Sequence, residues 1–111
     1  MESSTIINAF RALPPQEKVE TLVRLSHELT ILARDTYQTG TLGLLHPARL
    51  RAINEVQHRI TAHVLALLRN DAGRYSDEVL VNIILEHDDD LELRRQIREA
   101  FSRVVAWHAA V

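Results

Sequence analysis

Helix-breaking residues occupy only three short places in this chain, and that limits the fold more than any motif does. The prolines are Pro14, Pro15 and Pro47, and the glycines are Gly40, Gly43 and Gly73. Between these points the apolar residues recur at helical rather than alternating spacing.

Ser3 and Ser4 can cap a short helix over about residues 4–13 that carries Ile6, Ile7, Phe10 and Leu13. It has to stop at the proline pair, because a residue before proline disfavours helical backbone. Pro15 suits the first turn of a second helix over 15–38, with Glu17 near its positive end. At about 100° per residue, Val19, Leu22, Val23, Leu29, Ala33 and Tyr37 share one broad face of it. Ser26 and Thr30 lie in the middle of that face, small enough to let a neighbouring helix come close.

Pro47 opens a third helix over 47–70, with Ile53, Val56, Ile60, Val64 and Leu67 as its core stripe. Asp71 to Tyr75 contains Gly73 and reads as a turn. Ser76, followed by Asp77 and Glu78, caps a fourth helix over 76–87. Its body, VLVNIIL, is rich enough in β-branched residues to suit a buried strand. The cap and first-turn acids favour helix, and no second strand is at hand to pair with it. A fifth helix over 90–109 carries Leu93, Ile97, Ala100, Val104 and Trp107 along one stripe. The expectation is an all-α protein: one domain spanning 1–111, a helical bundle of four main helices plus a short N-terminal helix. The loop TGTLGLLH is unusually apolar, and its Leu42, Leu44 and Leu45 are expected to fold back onto the bundle.

Several chemistries are excluded by residue type. The absence of cysteine rules out disulfides, thiolate metal sites and cysteine nucleophiles. No serine sits in a Gly-x-Ser-x-Gly turn, and there is no glycine-rich phosphate loop. No enzymatic activity and no cofactor are expected. The first ten residues, MESSTIINAF, do not read as a secretory signal, and no apolar run approaches a membrane span. The expected location is the cytoplasm, with no membrane partner.

The stretch NEVQHRITAHV places Glu55 three residues before His58 and His63 five residues after it. Glu-x-x-His on a helix is half of a di-metal site in carboxylate-bridged bundles. Counting about 100° per residue from Ile53, however, Glu55 and His58 lie near 200° and 140°, whereas the core stripe centres near 340°. His63 falls near 280°, on the flank of the core. Glu55, His58 and His63 are therefore weak metal or ligand candidates, and a metal- or ligand-binding bundle using them, a hydrolase if it is an enzyme at all, is the alternative function. Asn54, Gln57 and Thr61 form a neutral polar strip beside the core, with Gln57 near 40° by the same count. An enclosed amide needs partners, so this strip is expected to fix helix register or to meet a polar ligand.

His87 with Asp88, Asp89 and Asp90 resembles a set of hard-metal ligands, but four consecutive residues cannot converge on one ion as calcium loops do. Helix capping explains them better. Arg94, Arg95, Arg98 and Arg103 are interleaved with Glu92 and Glu99, as on a salt-bridged surface. With a net charge of −2, a nucleic-acid-binding role for this helix is the third-ranked reading.

The fourth helix points most directly to a partner. Val81 and Leu85 fall on the side away from Leu80, Ile83 and Ile84, leaving it apolar around most of its circumference. Val81, Leu85 and the N-terminal Ile6, Ile7 and Phe10 are the expected interface residues. Symmetric pairing is the commonest way to cover such surface. The leading expectation is a small, non-catalytic interaction or regulatory protein, homodimeric or joined to another protein.

Overall fold

A computed structural model describes residues 3–38, 47–69, 84 and 91–109. The described residues form helices and no strand: α1 (Ser3–Arg11), α2 (Pro15–Gln38), α3 (Pro47–Leu68) and α4 (Leu91–Ala109). α2 packs against both α3 and α4, and α1 lies against α4.

The proline pair acts as the sequence predicts. Leu13 N–H donates to the Phe10 carbonyl at 3.1 Å, tightening the end of α1 into an i−3 bond. The Pro14 carbonyl then accepts the Lys18 N–H at 2.9 Å, so Pro14 opens α2 and Pro15 occupies the first turn, where an N–H is not needed.

Every described helix contributes to one buried cluster. It includes Ile6 and Phe10 from α1, Leu22, Leu25 and Leu29 from α2, Ile53, Val56 and Ile60 from α3, and Leu93, Ile97, Phe101 and Val105 from α4. Phe10 and Phe101 join α1 to α4, with ring centroids 5.6 Å apart and planes tilted by 48°. That geometry suits the opposed edge and face charges of two aromatic rings. Thr21 is fully buried in α2, and its hydroxyl donates to the Glu17 carbonyl at 2.7 Å, so the enclosed oxygen is not left unpaired. Ile84 is helical and fully buried in the same cluster. Val81, Leu85 and the rest of the expected fourth helix lie outside the described residues, as does the apolar loop at 39–46.

Three expectations change. Ile6 and Phe10, proposed as partner-facing, are fully buried in the chain's own core, and Ile7 is half-buried against it. A short helix this apolar is stabilised by covering its own bundle. On α2, Val23 is 55% exposed, and the fully buried Leu25 takes a place in the core that the sequence reading did not assign it. On α4, Trp107 is 49% exposed and Phe101 is the buried aromatic. The real core stripe on both helices is rotated from the expected one, because each helix faces two neighbours rather than one.

Candidate functional site

Gln57 finds partners on the facing helix. Its side-chain amide donates one hydrogen to the Ser26 carbonyl at 3.0 Å and the other to the Thr30 hydroxyl oxygen at 2.8 Å. The Thr30 hydroxyl in turn donates to the Ser26 carbonyl at 3.0 Å. One amide from α3 thus closes a triangle with one turn of α2. Thr61 donates its hydroxyl to the Gln57 carbonyl at 3.0 Å, while Asn54 is exposed. Only Gln57 of the polar strip crosses the seam.

Of the metal candidates, Glu55 and His58 share one hollow, but His63 is not brought to them. Glu55 and His58 are exposed on the outer face of α3, beside Arg51, Asn54 and Arg59 in an open hollow. His63 is 1% exposed, on the core side. Among the described residues no group of three or more His, Asp or Glu side chains is placed to hold a metal ion.

Two arginines of α4 are engaged by carboxylates, one within the helix and one across to α2. Arg95 donates to Glu92 at 2.5 and 3.1 Å and to Glu99 at 2.6 Å. Its hydrogen bonds to Glu92, then to Glu99, reinforced by the charge of both carboxylates, hold the Arg95 guanidinium well above its ordinary range. Arg103 reaches across to Glu28 of α2 at 3.8 Å. Arg94 and Arg98 are half-buried.

A different surface combines apolar and cationic groups. Between α2 and α4 runs a groove of about 480 Å³ lined by Val23, Arg24, His27, Glu28, Arg103, Val104 and Trp107. The Arg24 guanidinium carbon lies 3.9 Å from the centroid of the Trp107 ring. The cation rests against the electron-rich ring face and holds the indole at the groove wall. The sequence reading missed this feature because it assigned both Val23 and Trp107 to core stripes. Arg24 and Trp107 are far apart in sequence, and only the packing of α2 on α4 joins them. No known protein family, characterised protein or solved structure matches the chain. Among the described residues no helix is long and apolar enough to cross a membrane.

Proposed function

We propose that this chain is a non-catalytic interaction protein that works as a homodimer through apolar positions on its outer helix faces. One observation carries the reading: Trp107 and Val23 stand half-exposed at the α2–α4 groove, with Arg24 stacked on the indole. Tryptophan and arginine supply most of the binding energy at many protein interfaces, because a large flat group on an already ordered cation loses little freedom on docking. Ile31, 36% exposed, adds a further apolar position on α2. The cytoplasm is the proposed compartment, which suits a chain without cysteine.

The competing readings have less support. A metal site on Glu55, His58 and His63 would need side chains that point to opposite sides of α3. A nucleic-acid surface on α4 would need cations not already claimed by Glu92, Glu99 and Glu28. Gel filtration with light scattering tests the proposal. A dimer mass is expected at micromolar concentration, and a monomer mass throughout that range would overturn it.

A further inference from the structure

Glu20, Val23, His27, Ile31 and Arg34 are all exposed and form one stripe on α2. At about 100° per residue they fall within roughly 80° of one another, opposite the side that carries Leu22, Leu25 and Leu29. Their spacings are three, four, four and three residues, symmetric about His27. Spacings of three and four are those of a seam between two packed helices.

The chemistry is matched about the same point. Turning a second α2 end for end around His27 places Glu20 opposite Arg34 and Val23 opposite Ile31. Both charges meet their opposites, and the exposed apolar residues, 55% and 36% exposed, cover each other. A parallel pairing would instead set Glu20 on Glu20 and Arg34 on Arg34, which is repulsive at both ends. Among the described residues neither Glu20 nor Arg34 forms an ion pair within its own chain. The flanks of α2 are already occupied: Ser26 and Thr30 bond α3, and Arg24 and Glu28 meet α4. Among the described residues, the stripe between them is the side of α2 left open.

We infer that this stripe seats a second copy of the chain, its α2 running antiparallel about a twofold axis at His27. The inference rests on the homodimeric reading above and adds to it the face, the direction and the register. A partner of unrelated sequence would not call for charges and apolar groups that mirror each other about one residue.

The chain contains no cysteine, so introduced thiols report the geometry cleanly. His27→Cys, placed at the axis, should yield a disulfide-linked dimer under mild oxidation. Val23→Cys alone should not, because its two copies would sit about 12 Å apart along the helices, beyond disulfide reach. Val23→Cys with Ile31→Cys in the same chain should cross-link again. Charge reversal supplies a second readout. Glu20→Arg and Arg34→Glu should each weaken the dimer roughly tenfold, and the double variant should recover most of that loss. All these positions are exposed, and unchanged circular dichroism would show that the helices persist. A parent protein that is monomeric would overturn both this inference and the proposed function. A dimer that ignores both charge reversals, or that cross-links through Val23→Cys as readily as through His27→Cys, would overturn the α2 face alone.

Discussion

α2 meets its two neighbours by different chemistry. Against α3 it offers neutral groups: the Gln57 amide is held by the Ser26 carbonyl and the Thr30 hydroxyl, at 3.0 and 2.8 Å. Against α4 it offers charge: Glu28 with Arg103 at 3.8 Å, and Arg24 over Trp107 at 3.9 Å. A neutral hydrogen bond weakens steeply with distance and angle, so a one-residue slip of α3 would break both amide bonds. Ion pairs and cation–ring contacts tolerate small shifts and fade with salt, because charges at the surface are screened over about 8 Å at physiological ionic strength. The α3 seam is thus the more sensitive to a shift along the helix, and the α4 seam the more sensitive to salt. It is the less exacting of the two that borders the groove proposed for partners.

The largest effect comes from weakening the buried cluster that lies beneath both seams. Phe101→Ala empties a fully buried site at the Phe10 contact and should cost about 3–5 kcal/mol, measured by denaturant unfolding. A loss below about 1 kcal/mol would mean that the aromatic pair is not central to the core. Gln57→Ala comes next, at about 1 kcal/mol. Combining it with Thr30→Ala should cost less than the sum, since each variant removes the same bond; simple additivity would argue against the triangle. The smallest effects belong to the other seam. Arg24→Ala and Arg103→Ala should each cost about 0.5 kcal/mol at low salt and less at high salt, because these groups are largely solvent-exposed. The cost of Gln57→Ala should not change with salt. A Gln57 effect that disappeared in salt, or an Arg103 effect that did not, would erase the distinction between the seams.

The sequence was most informative where backbone chemistry is local. Pro15 and Pro47 mark the starts of α2 and α3 because a residue without an N–H fits only the first turn. The short first helix ends at Arg11 rather than near residue 13, since the chain tightens into an i−3 bond before the prolines. Ser26, Thr30 and Gln57 each stood out as polar groups on apolar faces, and the need of a buried amide for partners was legible. Which groups would satisfy it was not, because helical projection gives the direction of a side chain and not the element facing it. The same limit exchanged Val23 for Leu25 and Trp107 for Phe101. A helix that packs on two neighbours buries a wider arc, centred between them, than the most apolar stripe suggests. Glu55, His58 and His63 needed only the single-helix count, and there the sequence had already turned the first two away from the core.

Trp107 is the only tryptophan, and it stands beneath Arg24 at the junction of α2 and α4. Its intrinsic emission is therefore a private signal of that junction. Far-UV dichroism reports all the helices at once, whereas the indole responds only when α4 parts from α2 or when something settles in the groove beside it. The molecule thus carries a built-in optical reporter at the seam where its contacts are most easily exchanged.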